Sequence, residues 1–225
     1  MRLNTAVFCL IMTAIITALK QQKRNPNRVN VYLDGEFAFG LTKILAARLQ
    51  VGQTLSGEKL SELRSDEELE KATLRALNFI SYRPRSTSEV RRNLRKHSLT
   101  EEVIDEVVER LQIKKILDDL NFAQIWVENR IVFRPRGRFA LRSELRQKGL
   151  KDDLIDQALI DLDEEELARR AAEKKARQLT NLDRYEFRTK LSAYLSRRGF
   201  EYSLISDVCA EYWEKQDHRE QQQNS

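Results

Sequence analysis

Three stretches of this chain align with one another at a nearly constant spacing, and that periodicity constrains the fold more than any single motif does. Arg83-Pro84-Arg85 recurs as Arg134-Pro135-Arg136, Leu94 as Leu145, Ile104 as Ile155 and Leu111 as Leu162, each 51 residues on. A further shift of 50 residues carries Leu145 to Leu195, Lys148-Gly149-Leu150 to Arg198-Gly199-Phe200 and Ile155 to Ile205. Self-similarity at such a period is the signature of a tandem array. Units of this kind bury their apolar faces against their neighbours, which predicts an elongated, curved body with a long exposed surface.

The repeating unit reads as helical. From Asp66 onward the apolar residues fall at helical spacing, beginning with the stripe Leu69, Ala72, Thr73, Ala76, Leu77 and Ile80 behind an Asp66 N-cap. Ser86 followed three residues later by Glu89 forms a capping box for the next helix, with Val90 and Leu94 facing inward. Thr100 caps a third helix, whose stripe is Val103, Ile104, Val107, Val108 and Leu111. Gly149 and Gly199 mark helix ends where a left-handed residue is expected, and Ser98 takes that place in the first copy. A charged fraction of 33% with only three Pro and seven Gly agrees with long amphipathic helices.

The N-terminal part differs. Val29, Val31 and Leu33 alternate before Asp34-Gly35, and Phe37 and Phe39 alternate after it, which predicts a hairpin with a two-residue turn. Ile15 to Leu19 supplies a third strand, and short helices are predicted at about 41 to 49 and 57 to 64. The expected fold is therefore mainly α, a tandem array of three three-helix repeats with a small N-terminal antiparallel β-sheet as a cap. The expected boundaries are 12–65 for the cap, 66–117, 118–165 and 166–215 for the repeats, and 216–225 for a disordered tail. Residues 1–11 read as a start-site artefact ahead of Met12; the alternative is a secretory signal or membrane anchor. The apolar run from Ala6 to Leu19 is shorter than the roughly 20 residues a spanning helix needs.

Signals for catalysis are missing. Gly35-x4-Gly40-Leu41-Thr42 and Gly52-x4-Gly57-Glu58 lack the lysine of a phosphate-binding loop. His97 and His218 have no neighbouring nucleophile or metal-ligand spacing, and Cys9 and Cys209 form neither a metal motif nor a disulfide framework. Asp118-Asp119 could hold a cation, yet it directly precedes the apolar stripe Phe122, Ala123, Trp126 and Val127, where an Asp N-cap is expected. No enzyme, cofactor, metal or small-molecule substrate is expected.

Charge is the remaining signal. The net charge is only +5, but each repeat carries bases in its first half and acids in its second. Arg83, Arg85 and Arg91 precede the acids of the first copy; Arg134, Arg136, Arg138, Arg142, Arg146 and Lys148 precede those of the second; Arg197 and Arg198 fall in the third. Stacked repeats would align these bases into a stripe facing phosphates or carboxylates, for which arginine's planar fork is suited. The plainer alternative is a set of solvated faces complementing helix dipoles, which accounts for Lys148 and Arg198 better than for the arginines crowded around the prolines.

Tyr82-Arg83-Pro84-Arg85-Ser86, Leu117-Asp118-Asp119 with Phe122-Ala123 and Trp126, Glu144-Leu145 through Lys148-Gly149, and Tyr194-Leu195 through Arg197-Arg198-Gly199-Phe200 together resemble the RecX family over about 150 residues. Ser98 departs from the family's usual glycine, and the first 65 residues lie outside the strongest resemblance. The resemblance implies a cytoplasmic regulatory protein that binds the RecA filament on DNA, lies in its groove and inhibits its ATP hydrolysis and strand exchange, as part of DNA repair and recombination. Single- or double-stranded DNA is expected as a further partner and a membrane is not; a helix-turn-helix-like DNA-binding regulator without a recombinase partner is the alternative.

Overall fold

A computed structural model describes residues 13–223, with side chains described through residue 216. The expectations for residues 1–11 and for the side chain of His218 lie outside the described residues. Two compact units are present, one of residues up to Arg83 with Val90–Lys114, the other of Pro84–Glu89 with Lys115 onward. The architecture is mostly helical, with a four-stranded antiparallel sheet at the N-terminus.

In the first unit, β1 (Ala14–Gln21), β2 (Arg28–Leu33), β3 (Glu36–Thr42) and β4 (Thr54–Leu55) lie in the order β3-β2-β1-β4. The hairpin turn is the expected one, with Asp34 at φ 50° and Gly35 at φ 92°. The two-residue β4 is an addition to the three strands expected, too short to leave a periodic trace in sequence. Phe37 departs from expectation. The two-residue turn pairs Tyr32 with Phe37, so Phe37 is 59% exposed and meets the Tyr32 ring edge-on instead of joining the core, while a register shift between Val31 and Tyr32 sets Phe39 opposite Val31. That core gathers Ile16, Val31, Leu41 and Leu55 with Leu45 and Ala46 of the short helix α1 (Lys43–Ala46) and Leu63 of the next helix.

Helix α2 (Gly57–Ser81) corrects the sequence reading. It is one helix of 25 residues capped by Ser56, not a short helix at 57–64 followed by a second one starting at Asp66. Ser65 and Asp66 are good cap residues, yet no Gly or Pro interrupts the segment, and burial of Leu63 and Glu67, four residues apart on one face, carries the helix through them. The buried Glu67 explains the continuity. Its Oε2 accepts from the Thr42 backbone N–H at 2.6 Å, and its Oε1 lies 3.1 Å from both Arg28 Nη2 and Lys71 Nζ. Arg28 also donates to the Gly40 carbonyl at 3.0 Å, so side chains occupy main-chain groups at this end of edge strand β3.

The remaining helices follow the repeat: α3 (Thr87–Arg95) and α4 (Glu101–Ile113); α5 (Asp119–Phe133), α6 (Arg138–Gln147) and α7 (Asp152–Ala158); α8 (Glu164–Ala176), α9 (Arg184–Ser196) and α10 (Tyr202–Gln223). Helix α10 continues to Gln223, so the tail expected from residue 216 is helical backbone to that point. Position-matched residues are buried alike: Leu94, Leu145 and Leu195 are all fully buried, as are Ile104 and Ile155, and Ile205 is nearly so. Local stops and starts match the sequence as well. The Glu89 N–H donates to Ser86 Oγ while the Ser86 N–H donates to Glu89 Oε2; Thr100 and Asp118 cap α4 and α5. Asp119 accepts from the Thr87 N–H at 2.7 Å, so both acids of the Asp118-Asp119 pair are spoken for structurally.

Ser98, Gly149 and Gly199 adopt φ 56°, 82° and 76°, the same left-handed turn in all three copies. Ser98 pays the strain that glycine avoids. Cys209 sits in the core of the third repeat, where burial pushes its thiol up to about 11.

Candidate functional site

The expected basic residues separate into two groups. The first is committed to intramolecular partners, most of them inside one repeat. Arg91 Nη1 meets Asp105 at 2.5 Å, and Arg95 makes a two-point bond to Glu101 at 2.7 and 3.0 Å. Fifty-one residues later Arg142 pairs with Asp156, and Arg146 makes the same two-point bond to Asp152 at 2.7 and 3.1 Å. The second and third helices of both repeats are thus stapled at equivalent positions. The third copy loses both staples in concert, with Ser192 and Ser196 where the arginines would stand and Tyr202 and Ser206 where the acids would. Arg138 is also engaged, donating to the Leu159 carbonyl at 2.7 Å while its backbone N–H donates to Glu164. Lys148 pairs with Glu89 at 3.1 Å and lies 4.8 Å from the Trp126 ring centre. Arg83 and Arg85 are partnered too. For Arg91, Arg142, Arg146, Arg138 and Lys148 the structure thus supplies intramolecular partners that the stripe reading did not foresee. The sequence held a clue, since each staple places its acid at a fixed offset from its arginine in both copies.

The Arg146–Asp152 pair yields a pH expectation. The hydrogen bond from Arg146 holds the Asp152 carboxyl below the usual carboxylate range. A depressed native value means that the pair stabilises the fold above the ordinary aspartate range, about 4, and that this contribution is lost as pH falls through the native value. In Arg146→Ala the Asp152 carboxyl should titrate higher by carbon-13 NMR, and its melting deficit relative to the parent should shrink toward zero in acid. A deficit that persists unchanged at low pH would show that the pair contributes nothing through its charge.

The second group converges. Arg134, Arg136, Lys174, Arg197 and Arg198 line one open cleft of about 420 Å³ in the second unit. Phe133 and Tyr194 complete the lining, and no acidic residue does. Pro135 ends α5 and holds the preceding Arg134 out of helical backbone, at φ −147°, which turns the chain at the elbow. The Gly137 N–H then donates to the Arg198 carbonyl at 2.9 Å, and Arg198 Nη1 donates to the Pro135 carbonyl at 3.0 Å. This reciprocal clasp ties the Arg-Pro-Arg elbow to the end of α9. Ser86, 51 residues before Gly137, reaches the Lys148 carbonyl at 2.6 Å through its hydroxyl, the same clasp made by a side chain.

Two of the five cations are held in place. Arg136 Nη1 lies 2.8 Å from Glu144, and the Arg198 guanidinium lies 4.4 Å from the Tyr194 ring centre. Glu144 also accepts from Trp126 Nε1 at 2.7 Å and Arg130 Nε at 2.8 Å. Arg136 Nε is buried and makes no hydrogen bond. Arg134, Lys174 and Arg197 have no ion-pair partner among the described residues. Sequence reading named four of the five cations and missed Lys174, Phe133 and Tyr194. Phe133 aligns with Tyr82 of the earlier Tyr82-Arg83-Pro84-Arg85, so the recurrence of an aromatic residue before Arg-Pro-Arg was the signal available.

Comparison with known proteins follows this architecture segment by segment. Residues 14–56 match the RecX N-terminal domain, and residues 72–111, 118–159 and 163–209 match the first, second and third RecX three-helix domains. The regulatory protein RecX of Bacillus subtilis is 35% identical over 196 residues, covering 85% of this chain and 74% of that protein. The chain belongs to the RecX family. RecX of Bacillus licheniformis is 33% identical over 201 residues, covering 87% of this chain and 76% of its own length. A RecX crystal structure superimposes with a TM-score of 0.72 at 28% identity, covering 87% of this chain and 98% of the other. RecX from Lactobacillus salivarius does so with a TM-score of 0.60 at 27% identity, over 65% of this chain and 97% of the other. RecX relatives carry the description of regulatory protein, and no helix among the described residues is long and apolar enough to cross a membrane.

Proposed function

We propose that this RecX protein is a cytoplasmic, non-enzymatic regulator that binds the RecA filament on DNA and suppresses its ATPase and recombinase activity. Family membership supports the partner, and the cleft of five cations without an acid is the observation that supports the contact surface. Crowding like charges costs stability in the free protein, and an anionic assembly relieves that cost on binding. Of the residues expected to make contact, Arg134, Arg136, Arg197 and Arg198 carry the proposal. Regulation then needs no chemistry from the chain itself: binding one filament state more tightly than another shifts the population by the ratio of the two affinities.

The test is filament ATPase on single-stranded DNA with increasing amounts of the purified protein. Suppression is expected, and Arg134→Glu with Arg197→Glu should raise the half-inhibitory concentration more than tenfold without changing the melting temperature. Undiminished ATPase at a large excess of the parent protein would sink the reading.

A further inference from the structure

The basic cleft has a second property that charge alone does not explain. Phe133 ends α5 at the lip of the cleft with 73% of its surface exposed, beside the arginines of the elbow. A ligand that carries both a flat face and an anionic group covers the ring and pairs with the guanidinium groups at once. A nucleotide in a single strand has both features, a π-face for the ring and a phosphate for the cations. An acidic peptide offers carboxylates, with a flat face only where it also carries an aromatic side chain, and a base inside a duplex is stacked and paired, so its face is not available.

The donors are arranged for the same ligand. Arg136 is oriented by Glu144 through Nη1 while its Nε stays buried and unbonded. Arg198 is fixed on the Tyr194 ring and on the Pro135 carbonyl. These two guanidinium groups are ordered before any ligand arrives, which lowers the entropy cost of binding. Arg134, Lys174 and Arg197, on long chains without partners, can follow a flexible strand. The cleft volume of about 420 Å³ suits one nucleotide at a time with the strand entering and leaving through the open side.

We infer that the cleft at the Arg134-Pro135-Arg136 elbow is a single-stranded nucleic-acid site, in which the cations hold phosphates of one strand and Phe133 stacks on a base. This rests on the filament-binding reading and deepens it: at this cleft the protein touches the nucleic acid of its target, not the recombinase.

Fluorescence anisotropy of a labelled oligothymidylate with the full chain tests the inference, with an unlabelled duplex of equal length and poly-glutamate as competitors. The single strand should bind, the duplex should compete at least tenfold less well, and poly-glutamate should compete weakly. Phe133→Ala should weaken binding about tenfold, the size of one lost base stack. Lys174→Gln with Arg197→Gln should flatten the slope of log affinity against log salt by about 1.4, about 0.7 for each lost phosphate contact on a single strand. Thermal melts keep folding under control, since Phe133, Lys174 and Arg197 are exposed. The inference is overturned if Phe133→Ala binds as the parent does, if duplex competes equally, or if poly-glutamate displaces the strand, the last assigning the cleft to an acidic protein segment. The ATPase assay separates the two readings. Suppression of filament ATPase without oligothymidylate binding removes this inference and leaves the regulator; oligothymidylate binding without suppression does the reverse.

Discussion

Gly137→Ala should lower the melting temperature by about 10 °C, although its backbone conformation is open to alanine. Gly137 is the N-cap of α6 at φ −72°, a value any residue adopts, so the substitution introduces no backbone strain. Restricting the unfolded chain contributes about 0.4–1 kcal/mol, which alanine's poorer N-cap preference offsets. The new Cβ, however, would lie 2.2 Å from the Gly199 carbonyl oxygen and 2.4 Å from its carbon, both main-chain atoms that no rotamer can move aside. Relief requires the elbow to part from the end of α9, breaking the Gly137-to-Arg198 hydrogen bond of 2.9 Å. Overpacking of this kind costs about 3 kcal/mol, and in a chain of this length each kcal/mol is about 2–4 °C. A melt at or above the parent temperature would mean that the clasp is not a constraint. Because the clasp also positions Arg198, the same variant should weaken oligothymidylate binding.

Glu144→Ala should destabilise the second unit by about 3 kcal/mol, as expected for removal of one partner from a largely buried charge network. The Glu144 side chain is only 14% exposed and takes three donors: Trp126 Nε1 at 2.7 Å, Arg130 Nε at 2.8 Å and Arg136 Nη1 at 2.8 Å. Alanine leaves two half-buried guanidinium groups near each other without a counter-charge and an indole N–H without an acceptor. Glu144→Gln keeps an acceptor and loses the charge, so its cost should be smaller, about 1–2 kcal/mol. Urea unfolding followed by tryptophan fluorescence reads both variants. Equal stability of parent and Glu144→Ala would show that the cluster is held by packing alone.

What could be read from the chain was local. Thr100, Asp118 and the Ser86–Glu89 box cap their helices because a side-chain oxygen reaches an N–H three residues away, an interaction written within one turn of sequence. Asp34-Gly35 and the glycine turns at 149 and 199 were legible for the same reason, since a left-handed residue leaves its trace at its own position, whereas the matching turn at Ser98 shows only in the structure. The three-helix period followed from apolar spacing, and the fully buried Leu94, Leu145 and Leu195 occupy the places that spacing assigned.

The continuous α2 escaped because local cap signals at Ser65 and Asp66 lost to the buried Glu67, whose partners Arg28 and Thr42 lie far away in sequence. The charges divided on the same principle. Arg142 and Arg146 look no different from Arg134 and Arg197 as letters, yet the fold brings acids of α7 to the first pair and no ion-pair partner among the described residues to the second. Sequence by itself determined the periodicity, the caps and the turns, because their energies come from neighbours within about four residues. Only tertiary packing decided which arginines are neutralised and which remain to meet a partner, because a charge takes its value from whatever the fold places beside it.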